Sequence, residues 1–251
     1  DATITGSSTQ VRNGTHVANL TLVKRKKPRT QTTRIKVAPA QPIPEFVNDG
    51  IAWLVEAQHP SGGWGAGSHA NQSNLNPSKV KLDPATTAFA GMALMRAGHT
   101  PTEGTYRDAI RKTIEFLVDT VERSSAEGPR ITDITGTQPQ AKLGQLVDTT
   151  MTTQFLARAM KALPNKDPLH DRTSAALDKC LAKLQSSLEQ NGTWGKGGWA
   201  PVLQSSLGTT ALELAQVAGK DINLDGLRRA RAYQKGNFNA KTGAVDASPA
   251  A

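Results

Sequence analysis

A short loop of glycine and tryptophan occurs twice in this chain and constrains its fold more than any other feature. The first copy is Gln58-His59-Pro60-Ser61-Gly62-Gly63-Trp64-Gly65, and the second is Gln190-Asn191-Gly192-Thr193-Trp194-Gly195. An apolar segment with helical periodicity precedes each glutamine. Glycine allows the sharp turn because it adopts positive φ without steric cost, and the tryptophan that follows is held close to the backbone. Two copies in the same order indicate a repeat protein.

Two kinds of helix are predicted to alternate beyond Pro44. Helices with one apolar stripe, typical of an outer layer, are predicted at about 44–58, from about residue 100, at about 168–190 and at about 223–234. Helices of small, apolar and threonine side chains, predicted to be buried on all sides, begin near residues 83, 148 and 205, and carry the threonine pairs 86/87, 152/153 and 209/210. The pattern therefore predicts three helical hairpins followed by a fourth outer helix.

Local signals predict where several of these helices begin. Asp83 followed by Pro84 is typical of an N-cap with proline at the first helical position, and Asp148 is predicted to cap its own helix in the same way. The segment 100–103, Thr-Pro-Thr-Glu, fits a capping box, and the first helix is predicted to place Phe46 on one side with the residues Ile51, Leu54 and Val55. Residues 123–146 are predicted to form a long loop without the glycine–tryptophan signature.

The first 43 residues are predicted to be extended, with a hairpin turn at Asn13-Gly14. Prolines 39, 42 and 44 then suggest a linker into a helical domain at 44–251. Residues 1–43 hold eight of the 30 Lys and Arg residues, and most of the eight cluster at Lys24, Arg25, Lys26, Lys27 and Arg29. This cluster is interpreted either as a solvated turn or as a contact with an anionic polysaccharide or membrane surface. The absence of aromatic residues from 1–43 argues against nucleic acid.

The repeated loops resemble the glutamine–tryptophan repeats of the α/α toroids, the superfamily of squalene and terpene cyclases and protein prenyltransferases. The matching motif residues are Gln58, Gly63, Trp64, Gln190, Gly192 and Trp194. The resemblance implies a mainly α fold, a partial toroid of helical hairpins over 44–251. The residue pattern adds a small N-terminal β-extended segment to it. In that family the glutamine braces the start of a neighbouring helix, and the tryptophan stacks on the adjacent repeat.

The catalytic motifs of the resembling families are missing from the sequence. It contains no Asp-x-Asp-Asp acid, no Asp-Asp pair for magnesium and no Cys-Gly-Glu-Gln thioester. Asp178-Lys179-Cys180 has the spelling of a prenyltransferase zinc site, but it falls inside a predicted helix, so we expect a buried cysteine, no metal and no cofactor. We therefore expect a non-catalytic binding or assembly module. The alternative is an enzyme of the toroid class, either isoprenoid cyclase-like or a polysaccharide lyase.

Five residues are candidates for ligand binding. His59 and His69 flank the first loop and could share a ligand, although the surface-loop interpretation is the simpler one. Asp83 and Asp148, with Asp246, could direct acids into a central cavity, or they could act only as helix caps. Trp199 lies outside the repeat motif, which makes it a better ligand candidate than the two motif tryptophans.

The ring of helices is predicted to be incomplete, because residues 245–250 look like the start of another inner helix. We therefore expect an apolar edge covered by another protein subunit or by a missing C-terminal part of the same chain. No run approaches the ~20 apolar residues of a membrane span. The start at Asp1, without methionine, suggests a processed product or a fragment and is consistent with export to the periplasm or the extracellular space.

Overall fold

The computed structural model describes residues 3–4, 9–12, 15–18, 22–23, 44–68, 70, 73, 76–195 and 200–245. The chain divides into two compact units, Asp1–Pro42 and Ile43–Ala251. Whether each unit is a domain that folds on its own stays a prediction.

The N-terminal unit contains two pairs of short antiparallel strands. The strands are β1 (Thr3–Ile4), β2 (Thr9–Arg12), β3 (Thr15–Ala18) and β4 (Leu22–Val23). β2 pairs with β3, with Arg12 opposite Thr15, and β1 pairs with β4. The β2–β3 pair flanks the predicted Asn13-Gly14 turn, but the turn itself and the basic cluster at 24–29 lie outside the described residues.

The second unit is helical. Its helices are α1 (Glu45–Glu56), α2 (Pro84–Arg96), α3 (Arg107–Arg123), α4 (Gln138–Leu143), α5 (Val147–Ala162), α6 (Pro168–Ser186), α7 (Pro201–Val217) and α8 (Leu224–Gly236), with a 3₁₀ turn at Pro77–Lys79. None of the helices described is long and apolar enough to cross a membrane. The predicted mainly α fold is confirmed.

Two layers of helices build this unit. α2, α5 and α7 pack side by side in an inner layer, while α1, α3, α6 and α8 lie against them as an outer layer. α5 is in the middle of the inner layer, and twelve of its 16 residues are buried, including Phe155 and Leu156. A helix in this position can be apolar and small all round because helices cover every side of it.

Two expectations about the outer helices and one about the long loop at 123–146 are wrong. α3 begins at Arg107, and the Thr100 hydroxyl instead accepts a 2.8 Å hydrogen bond from the Glu103 amide, which closes a local turn before the helix. Phe46 is 76% exposed, and Val47 packs inward in its place. The long loop contains the short helix α4, which has a complete capping box between Thr137 and Gln140.

The inner helices also differ from the prediction. α2 is not buried all round, since Phe89 is exposed on it. The threonine pairs do not occupy equivalent positions either. Thr86 and Thr87 lie in the first turn of α2, whereas Thr209 and Thr210 lie in the third turn of α7. These threonines suit buried helices because their hydroxyl groups can bond to the preceding turn, as Thr209 does to the Ser205 carbonyl.

The two glycine–tryptophan loops have the same internal geometry. Trp64 and Trp194 are both 4% exposed. Each indole N–H donates a 2.8 Å hydrogen bond to a carbonyl near the end of the outer helix that precedes its loop, from Trp64 to Leu54 and from Trp194 to Leu184. Each loop is therefore closed by a buried tryptophan that is also satisfied in its hydrogen bonding.

The backbone hydrogen bonds of the two loops show that Gln190 is not the equivalent of Gln58, contrary to the prediction. The His59 amide bonds to the Gly63 carbonyl, and the Glu189 amide bonds in the same way to the Thr193 carbonyl. The residue before Glu189 is Leu188, so Leu188 takes the place of Gln58, while Gln190 lies one residue into the turn.

Different chemistry at this one position links each loop to the next outer helix. Gln58 Nε2 donates to the Ala109 carbonyl at 3.0 Å and to Thr113 Oγ1 at 3.2 Å, both on α3. Leu188 instead lies against Gly226 near the start of α8. The first loop thus braces its neighbour through a polar contact and the second through an apolar one.

Replacing a loop tryptophan by alanine should destabilise the protein strongly. We expect Trp194→Ala to lower the free energy of unfolding by about 3–5 kcal/mol, because a large buried aromatic side chain is removed. Leu224→Ala is the control, since Leu224 is 59% exposed at the start of α8, lies outside the loops and should cost far less. Chemical denaturation of both variants measures the difference. Equal losses would contradict a locking role for Trp194.

Candidate functional site

Asp83 lies at the start of α2 and ties the first glycine–tryptophan loop to that helix. As predicted for an N-cap, its Oδ1 accepts a 2.7 Å hydrogen bond from the Thr86 amide. Its Oδ2 accepts from Thr86 Oγ1 at 2.8 Å and from the Ala66 amide at 3.2 Å. The Asp83 amide in turn donates to the Trp64 carbonyl at 2.9 Å. This buried carboxylate is thus surrounded by donors from the loop and the helix.

Asp148 does not cap its own helix, contrary to the prediction. It lies in the first turn of α5, and the residue at the N-cap position is Leu146, which makes no side-chain cap. Its Oδ1 accepts a 3.0 Å hydrogen bond from the Ala85 amide at the start of α2, and its Oδ2 accepts a 2.7 Å bond from Gln140 Nε2. Asp148 therefore caps the neighbouring inner helix and joins α2, α4 and α5.

Burial raises the pKa values of both carboxyl groups. For Asp148 the pKa rises from 3.8 to about 6, because desolvation and the nearby charge of Asp83 outweigh the bonds from Gln140 and Ala85. For Asp83 desolvation also raises the pKa, against the opposing bonds from Thr86, Ala66 and Ala85. An acid of this kind could hold a proton near neutral pH. However, the hydrogen-bond donors described around both carboxylates belong to the protein itself. This arrangement is typical of carboxylates that hold helices together.

A cavity of about 760 Å³ lies near the start of α2, close to these two carboxyl groups. It is bounded by the segment leading into α2, by the last turns of α3 and by the loop 124–134. Charged and apolar side chains share its wall, among them Lys81, Phe116, Arg123, Arg130, Ile131 and Asp133. Neither Asp83 nor Asp148 lines this cavity. The sequence gives no signal for a cavity here, because residues 123–146 were predicted to form a long loop without the glycine–tryptophan signature.

Two lysines of α6 hold the loop that forms this wall. Lys179 Nζ donates to the Val121 and Ser124 carbonyls at 2.8 and 2.6 Å. Lys183 is only 2% exposed, and its Nζ donates to the Glu127 and Gly128 carbonyls at 3.1 and 2.9 Å. Desolvation lowers the pKa of Lys183. Lys179 and Lys183 are four residues apart on an outer helix, which is a spacing typical of a solvated face. The sequence alone therefore did not indicate that they hold this loop.

The predicted ligand candidates are not brought together in the described structure. His59 lies in the first loop, with its ring nitrogen 2.8 Å from Ser61 Oγ. It borders a separate cavity of about 440 Å³ between α1 and α3, which neither Asp83 nor Asp148 lines. His69, Trp199, Asp246 and the basic cluster Lys24, Arg25, Lys26, Lys27 and Arg29 lie outside the described residues. Their predicted roles stay predictions.

One comparison with protein families gives a match. Residues 34–136 match the family model of the squalene-hopene cyclase C-terminal domain. This part of the chain is therefore similar to a family of the α/α-toroid superfamily of prenyltransferases and squalene cyclases. The match covers α1, α2 and α3 together with the first glycine–tryptophan loop. No curated protein and no solved structure gives a significant match.

The one zinc-like motif of this toroid protein is split between the interior and the surface. Cys180 is fully buried, and burial raises the pKa of its thiol to about 12. The side chain of Asp178 is 60% exposed, and its Oδ2 forms a 2.7 Å ion pair with Lys220 Nζ. Over the part of the chain that the structure describes, no group of three or more His, Cys, Asp or Glu residues is placed to hold a metal ion.

Asp148 should make the toroid unit more stable at mildly acidic pH. Its folded pKa of about 6 exceeds the unfolded value of 3.8, so the folded state holds the proton more tightly between these values. The free energy of unfolding should therefore fall as pH rises from about 4 to 6, by at most about 3 kcal/mol from this group. Asp148→Asn removes this titration while it keeps an oxygen for the Ala85 amide.

The measurement is urea denaturation of both proteins at several values between pH 4 and 7. The stability difference, parent minus D148N, should decrease across this window. The effects of groups far from Asp148 cancel in the difference, whereas the coupled titration of Asp83 remains part of it. A constant difference would show that Asp148 has an ordinary pKa in the folded protein.

Proposed function

We propose that this α/α-toroid chain is a non-catalytic assembly module whose helical unit joins a second α/α unit through two exposed apolar edges. The observation that carries the proposal is the exposure of large apolar side chains to solvent at two places, on α1 and on α7 with the segment that follows α8. Contiguous exposed apolar surface of this kind commonly marks a protein interaction site.

The first edge is the outward stripe of α1. Phe46 and Trp53 are seven residues apart, so they lie on the same side of the helix. Gly50 lies between them, and a Cβ added there would have no atom within 4 Å. Ile51 and Val55 occupy the opposite side and pack into the core. α1 is thus apolar on two sides, and only one of them is covered.

The second edge is formed by α7 and the segment that follows α8. Leu203, Phe238 and Val245 are each about half exposed, and Phe238 pairs with Val245 through a β-bridge. Beside them is a cavity of about 370 Å³ with a mainly apolar lining, to which Leu203 and Val245 both contribute. This edge offers a concave apolar surface, whereas the first edge offers protruding aromatic rings.

The packing within the unit suggests how the two edges would meet. α5 packs between α2 and α7, so α7 is the last inner helix of the layer among the described residues and can accept a further inner helix beside it. A second copy of the chain offers such a helix in α2, next to the aromatic stripe of α1. Head-to-tail contact of the first edge with the second edge is a heterologous interface, which closes if the rotation allows a ring.

The buried acids support a non-catalytic role over the enzyme alternative. A catalytic acid must reach the substrate, but Asp83 and Asp148 direct their oxygens at the amides of Thr86, Ala66 and Ala85 and at Gln140. The family match supports the toroid class and carries no information about catalysis.

Light scattering coupled to size exclusion tests the assembly. We expect the purified chain to have a mass of twice its 26.7 kDa, and we expect Trp53→Lys to shift it to the monomer. The substitution places a charge at the centre of the first edge without touching the core. Trp53→Phe is the matched control, because it keeps an aromatic ring and should remain dimeric.

Two results would contradict the proposal. One is a parent protein that stays monomeric over the whole concentration series. The other is a W53K variant that is as dimeric as the parent, with unchanged helical circular dichroism showing that both are folded.

A further inference from the structure

Three basic side chains meet at the C-terminal ends of the inner helices. Arg96 is the last residue of α2, and Lys161 lies in the last turn of α5. Arg158 lies one turn before Lys161 and is half-buried. All three line one cavity of about 320 Å³ between α2, α5 and α7.

These three cations have no acidic partner among the described residues. None of them takes part in a described ion pair, and no Asp or Glu lines the cavity. Arg158 donates only to the Gln154 carbonyl of its own helix, at 3.3 Å. Glu213 of α7 is paired with Arg231 of α8, and Asp221, which follows the end of α7, forms no described ion pair with any of the three cations. The cavity therefore carries uncompensated positive charge.

The helix dipole explains only part of this cluster. Cations near a helix C-terminus are stabilised by the terminal carbonyl groups, and this accounts for Arg96 and Lys161. It does not account for Arg158, which is partly withdrawn from water next to another arginine. Desolvation and the charge of Arg96 both lower the pKa of Arg158, as expected for a half-buried guanidinium group beside another cation.

The remaining wall of the cavity is apolar. Met95 of α2, Ala157 of α5 and Leu214 of α7 contribute to it, and Val217 is 62% exposed at its rim. The surface therefore combines two guanidinium groups and an ammonium group with an aliphatic slot beside them. Guanidinium groups bind phosphate and carboxylate oxygens through paired, charge-assisted hydrogen bonds.

We propose that this cavity binds an amphiphilic anion, a phosphate or carboxylate group attached to an aliphatic chain. The anionic group lies between Arg96 and Arg158, with Lys161 as a further donor. The aliphatic chain lies along Met95, Leu214 and Val217. This site is independent of the two apolar edges, since none of its residues belongs to either of them.

Isothermal titration calorimetry and thermal melts with decyl phosphate, below the concentration at which it forms micelles, test the proposal. We expect decyl phosphate to bind and to raise the melting temperature, and inorganic phosphate at the same ionic strength to do so much more weakly. The double variant R96Q/R158Q should lose about tenfold or more in affinity for decyl phosphate. The control variant K235Q/K241Q removes two exposed charges outside the cavity and should bind like the parent.

The same variants separate binding from a structural role. Without ligand, Arg158→Gln should melt at or above the parent temperature, because it removes a poorly compensated charge. A lower melting temperature would show that Arg158 stabilises the fold itself and would overturn the proposal.

Three further results would overturn it. The first is equal binding of decyl phosphate by R96Q/R158Q and the parent, and the second is an equal loss in K235Q/K241Q. The third is binding only to vesicles of phosphatidic acid and phosphatidylcholine, which would indicate a membrane surface instead of a single amphiphile.

Discussion

The structure depends on the close contact between one glycine in each tryptophan loop and the backbone of the next outer helix. A Cβ added to Gly62 would lie 2.2 Å from the Lys112 carbonyl oxygen of α3, and one added to Gly192 would lie 2.3 Å from the Arg229 carbonyl oxygen of α8. Both glycines have φ near +90°. No other residue type fits there, because a side chain would meet both an unfavourable backbone conformation and a carbonyl group.

This contact determines where the other parts of the first repeat lie. With Gly62 against α3, the chain turns so that Trp64 is buried, and the Trp64 carbonyl accepts from the Asp83 amide. Asp83 then caps α2, and the Ala85 amide of that helix is bound by Asp148 of α5. The buried acids therefore belong to a continuous set of hydrogen bonds that runs from the loop to the central inner helix. In this protein they hold helices in position.

Sequence reasoning succeeded where the determining interactions are local. The loops, the Asp83 cap and the alternation of helix types follow from residues close to one another in the chain. It failed where a side chain acts across the structure, as Asp148 does on α2. It also assigned the second motif glutamine to Gln190, because the position equivalent to Gln58 holds Leu188, and only the backbone bonds of the loop reveal that equivalence.

The central claim is that contact with the next helix, and not the turn conformation alone, makes the loop glycines indispensable. Gly192→Ala and Gly219→Ala test it most directly, because both glycines have φ near +86° but only Gly192 touches a neighbouring helix, while Gly219 has no atom within 4 Å of its Cβ position. In urea denaturation we expect Gly219→Ala to cost about 1–2 kcal/mol from the backbone conformation alone. Gly192→Ala should cost a further ~1–3 kcal/mol from overpacking. Equal losses for the two variants would contradict the account.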